Sequence, residues 1–103
     1  MTLEHFAERL KTTGLPVTYL AWPEGQAPAL PFLCYRSTGA DTLPADGGVY
    51  LFWDNVRIEL YTAVKDLALE QLVETALTDF AWTKDEIWIE SERCFMIAYE
   101  IQV

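Results

Sequence analysis

Residues 56–80 read VRIELYTAVKDLALEQLVETALTDF, and the spacing of their apolar side chains changes period midway. Val56, Ile58 and Leu60 alternate with Arg57, Glu59 and Tyr61, the two-residue period of a strand with one face turned to a core. From Asp66 onward the apolar positions become Leu69, Leu72, Val73, Ala76, Leu77 and Phe80, the stripe of an amphipathic helix. The Asp66 carboxylate is placed to accept a free amide of the first turn and to meet the positive end of the helix dipole. A strand followed at once by a helix fixes the frame for the rest of the chain.

Working outward, Val49–Tyr61 reads as one long, bent strand, since Asp54-Asn55 lacks the glycine that most tight hairpin turns use. Upstream, Leu3, Phe6, Ala7 and Leu10 mark a first helix, capped by Thr2 and closed by Gly14 and Pro16. Val17–Ala21 is expected as a short edge strand, because the prolines that follow it cannot donate ladder hydrogen bonds. Phe32–Ser37 is expected as a strand, and Thr38–Gly48, with Gly39, Pro44, Asp46, Gly47 and Gly48, as a long loop. Two more strands, about Glu86–Glu90 and Cys94–Ile101, join near Ser91-Glu92-Arg93. The order is α-β-β-β-α-β-β, a single α+β domain over residues 1–103 with a mostly antiparallel, twisted sheet of about five strands.

The chain has 103 residues, 51% of them hydrophobic and 22% charged, so it can bury one core and is not expected to be disordered. Seven basic residues against sixteen acidic ones give a net charge of −9 and argue against gripping a nucleic-acid backbone. Apolar runs such as Val49–Trp53 are too short to cross a bilayer, and the first residues do not read as a signal peptide, so neither membrane insertion nor export is expected. Cys34 and Cys94 fit no metal-ligand spacing and read as buried thiols, with a disulfide requiring neighbouring strands. His5, the single histidine, falls on the polar side of the first helix and offers neither a zinc cluster nor a base.

Both parities are apolar in Val49–Trp53 and in Cys94–Ile101, more than a sheet with one wet face requires. Two short helices cover one face only. The other is to be covered by curling of the sheet, by the long loop or by a second chain, unless the aromatics fill a strongly curved core. No catalytic motif is present, so no enzyme, cofactor or metal is expected. Glu59, Glu90, Glu92 and Glu100 lie on or beside strands and invite comparison with a cation site or an acid–base pair. A solvated acidic face explains them more simply. The acidic balance, with four tryptophans and five tyrosines, suits two kinds of function. One is an inhibitor or immunity-like module that binds a basic protein, and the other is an assembly component.

Gly14-Leu15-Pro16-Val17-Thr18-Tyr19 after a first helix, Pro31-Phe32 opening a strand, and Ala45-Asp46-Gly47 before Val49-Tyr50 form a recognisable series. With Ile58-Glu59-Leu60-Tyr61-Thr62 before Lys65-Asp66, Ile89-Glu90-Ser91-Glu92 and Ala98-Tyr99-Glu100, the chain resembles the small tail-completion, or tail-terminator, proteins of siphophages and prophages of Gram-positive bacteria. The resemblance implies a homo-oligomeric ring, commonly a hexamer, that caps the tail tube and meets the head connector, with no cofactor and no turnover. It implies a place in the virion tail after assembly in the host cytoplasm. Under it, Glu59, Glu90, Glu92 and Glu100 are candidates for an acidic channel face along which DNA slides without being held. Asp41, Asp46, Gly47 and Gly48 mark a candidate assembly loop that orders against a neighbour.

Overall fold

A computed structural model describes residues 2–44, 47 and 50–103. The elements are α1 (Leu3–Lys11), β1 (Val17–Tyr19), β2 (Phe32–Pro44), β3 (Tyr50–Thr62), α2 (Leu67–Ala76), β4 (Thr83–Ile89) and β5 (Cys94–Gln102). They form one α+β domain whose five-stranded mixed sheet has the order β1-β2-β3-β5-β4. β1 runs parallel to β2, and the other neighbours are antiparallel.

Local chemistry sets the helix ends. Thr2 accepts the His5 amide at 3.1 Å, Asp66 accepts that of Leu69 at 3.2 Å, and Gly14 leaves α1 with φ +80°. His5 is exposed. Phe6 and Leu10 of α1, Val73 of α2 and Leu77 just after it pack on one sheet face, formed by Leu33, Val56, Ile58, Leu60, Ile97, Tyr99 and Ile101. The alternation read in Val56–Leu60 thus selects the helix-covered side.

A buried ionic group fastens α2 to β4. Glu70 is 2% exposed, and its two oxygens meet the Lys65 and Lys84 ammonium groups at 2.7 Å each. Lys84 also reaches Glu74 at 2.8 Å, the Tyr99 hydroxyl donates to Glu74 at 2.6 Å, and Lys65 pairs with Glu86. Burial pushes the Glu70 carboxyl up, but the two lysines outweigh it and hold it below its ordinary value.

Three expectations are corrected. β1 stops at Tyr19: the Leu20 amide still donates to the Tyr35 carbonyl at 2.7 Å, and with φ 65° at Leu20 the chain turns away after it. α2 ends at Ala76, although Leu77 and Phe80 still pack on the core. The largest correction concerns residues 38–48, expected to form a loop. Thr38–Pro44 continue β2, pairing Gly39 with Asn55, Asp41 with Trp53 and Pro44 with Tyr50. A bulge between Ser37 and Gly39 inserts Thr38, whose hydroxyl donates to the Asn55 carbonyl at 3.3 Å, and Gly39 takes φ +135°. One inserted residue flips the facing of all that follow, so the turn-forming composition conceals a strand with changed parity. Asp41 therefore belongs to a ribbon, Gly47 has φ +84°, and Asp46 and Gly48 lie outside the described residues.

Candidate functional site

The sheet face away from the helices carries Phe32, Cys34, Arg57, Glu59, Tyr61, Cys94, Met96, Ala98 and Glu100. Part of its cover comes from residues 20–31, where the Trp22 ring meets Phe32 edge-on at 5.8 Å and Phe32 meets Tyr61 at 5.2 Å. Cys34 and Cys94 are buried and free. β3 runs between their strands, so at about 4.8 Å per strand spacing their Cα atoms exceed the reach of a disulfide.

At the centre of this face Arg57 Nε donates to Glu59 Oε2 at 2.9 Å, and its Nη1 donates to Glu100 Oε1 at 3.3 Å. The Tyr61 hydroxyl donates to Glu59 Oε1 at 3.0 Å, so both Glu59 oxygens are occupied. Burial first, and then the Glu59 charge, pushes the Tyr61 hydroxyl well above its ordinary range.

Glu59 and Glu100 are therefore brought together, sharing one arginine. Glu90 and Glu92 are not with them. They sit in the turn before β5, and from the start of that strand at Cys94 to Glu100 is six residues of extended chain, roughly 20 Å at the usual strand rise. Glu90 Oε1 accepts from Arg93 at 3.3 Å and its Oε2 accepts from the Trp88 indole. Among the described residues no three His, Cys, Asp or Glu side chains converge as metal ligands. Sequence reasoning missed Arg57 as the organiser of the face, although its place in the same alternation as Glu59 was the available signal.

The second feature is the ribbon of residues 39–44 and 50–55. β1 pairs with β2 only as far as Tyr35, and the β3–β5 register ends at Asn55 opposite Gln102. Val103 still exchanges backbone hydrogen bonds with Asp54 at 2.9 and 3.1 Å, and further out neither ribbon edge has a neighbouring strand among the described residues, in a molecule of 52 × 28 × 25 Å. At the base, Asp41 accepts from Asn55 at 3.0 Å and from Gln102 at 3.2 Å. Further out, Leu43 is 54% exposed, and the buried Trp53 indole N–H has no acceptor among the described residues. A two-stranded ribbon has little stability of its own in water and gains by pairing or packing.

No protein-family model matches this chain, and no curated protein matches it. Among solved structures, it is similar to a chain in the virion of a native gene transfer agent (GTA) particle. The likeness has a TM-score of 0.58 at 16% sequence identity and covers 90% of this chain and 81% of that one. At that identity the two share a fold.

Proposed function

We propose, from a fold shared with a chain of a gene transfer agent virion, that this protein is a structural component of a phage or prophage particle. Its finer role in this reading is a tail terminator, a ring subunit that completes the tail and joins it to the head. The observation that carries the proposal is the ribbon, whose open edges and exposed Leu43 suit a contact with an adjacent copy. Assembly then provides the partner strand and the packing that an isolated ribbon lacks. The reading is non-enzymatic and needs no cofactor. Its partners are further copies of the chain, in a hexamer in keeping with the resemblance, and the tail-tube and head-connector proteins.

The net charge of −9 supports a channel that does not hold DNA. Glu59 and Glu100 are the pair we assign to such a face, because they lie side by side there. Arg57 neutralises part of their charge, so the repulsion is mild. Glu90 and Glu92 face other surroundings and are not assigned to it.

The test is light scattering over a concentration series, with and without tail-tube protein, on the native chain and on Leu43→Asp. The native chain should form species above monomer, and the variant should lose them while keeping its circular dichroism. A native chain that stays monomeric with tube protein present refutes the ring. If it instead captures one basic protein with one-to-one stoichiometry, the acidic-inhibitor reading takes its place.

A further inference from the structure

Residues 20–31 and the open sheet face enclose a cavity of about 570 Å³, within the ~300–1,000 Å³ range of small-ligand sites. Three aromatic rings stand in its wall. Trp22 meets Phe32 at 5.8 Å between ring centres, and Phe32 meets Tyr61 at 5.2 Å. Leu30 and Cys34 add apolar surface, and among the described lining residues Glu92 is the one carboxylate, with no lysine or arginine beside it in the lining. Glu92 is exposed in the turn before β5, and it takes part in none of the ion pairs among the described residues. Trp22 also keeps a buried indole N–H without an acceptor.

We propose that this cavity takes the arginine side chain of a basic segment on a partner protein, its guanidinium held by the aromatic rings and by Glu92. Aromatic faces attract a cation through the ring quadrupole, and the attraction grows as the cation loses water. A guanidinium suits the wall better than an ammonium, because it is planar, stacks on rings, is weakly hydrated and can pair bidentately with a carboxylate. The apolar lining receives the aliphatic stem. The chain's net charge of −9 favours a cationic visitor over an anionic or neutral one. The site is independent of the ring reading and would stand if that reading failed.

The test uses the full chain, with N-acetyl-arginine amide as the probe and N-acetyl-citrulline amide as its neutral counterpart of the same shape. Two-dimensional NMR should show saturable shifts at the Trp22 indole and at the amides of Phe32, Cys34 and Tyr61. The citrulline compound should bind about tenfold more weakly, and Glu92→Gln should weaken arginine binding about tenfold. Glu90→Gln should leave it unchanged, since that carboxylate already serves Arg93 and Trp88. Both glutamates are exposed, so these variants keep the fold. Trp22→Phe should retain most of the binding and Trp22→Leu should lose it. Equal binding of the citrulline compound would reduce the cavity to an apolar groove and overturn the proposal. Equal losses in Glu92→Gln and Glu90→Gln, or shifts spread over the whole acidic surface, would overturn it as well.

Discussion

Replacing Lys84 with methionine keeps an aliphatic stem of similar length and removes the ammonium that serves both Glu70 and Glu74. Glu70 is 2% exposed, so its charge would then depend on Lys65 alone. Removing one partner of a buried pair generally costs about 3–5 kcal/mol. Two features lower that figure here: Lys65 stays at 2.7 Å, and the Lys84 side chain is already 31% exposed to solvent. The expected loss is about 2–3 kcal/mol, or roughly 10–20 °C in Tm for a domain of this size.

The loss carries a pH signature. In the native protein Glu70 and Glu74 are held below their ordinary value of 4.5. They therefore add stability that is present above 4.5 and is lost as the pH falls through their folded values. Without Lys84, burial lifts the Glu70 carboxyl and that acid-side contribution shrinks. The deficit of Lys84→Met should be full at about pH 7 and should shrink at about pH 3, as the pH falls below 4.5 toward the folded values of Glu70 and Glu74. Urea unfolding at the two pH values measures it, with equal m-values checking that the unfolded states match. A deficit below about 0.5 kcal/mol at neutral pH, typical of an exposed pair, would refute the reasoning. So would the same deficit at both pH values.

Two further outcomes are expected. Burial first, and then the Glu59 charge, pushes the Cys34 thiol up to about 11, and burial with the Glu92 charge raises Cys94. At about pH 8 Cys34 of the native protein should therefore alkylate with iodoacetamide roughly 100-fold more slowly than in the unfolded chain, with Cys94 slowed as well, and rapid native labelling would contradict the burial of these thiols. Leu77→Ala removes a side chain that is 0% exposed at the meeting of α2 and the sheet. It should cost about 2–5 kcal/mol by chemical denaturation, and a loss under about 1 kcal/mol would show that the site is not packed as described.

The alternation of Val56, Ile58 and Leu60, and the helical spacing from Leu69 to Leu77, are properties of neighbours along the chain, and both elements could be read directly from them. The caps at Thr2 and Asp66 were legible for the same reason, since each side chain serves an amide three residues away. Residues 38–44 were not legible as a strand. Glycine, aspartate and proline read locally as a turn, while pairing with β3 and a bulge at Thr38 override that preference. The sequence could place Glu59 and Glu100 on strands, but not Arg57 between them, which depends on Arg57 standing opposite Glu100 in the β3–β5 register. It likewise offered no means of joining Trp22 to Tyr61 and Glu92, residues from three distant segments that share one cavity. Periodicity follows from the rotation of one residue to the next, so the sequence alone determined the regularly spaced elements, Val56–Leu60 and Leu69–Leu77 among them, and their buried faces. Register, bulges and cavities follow from contacts between residues far apart in the chain, and only the tertiary structure decides those.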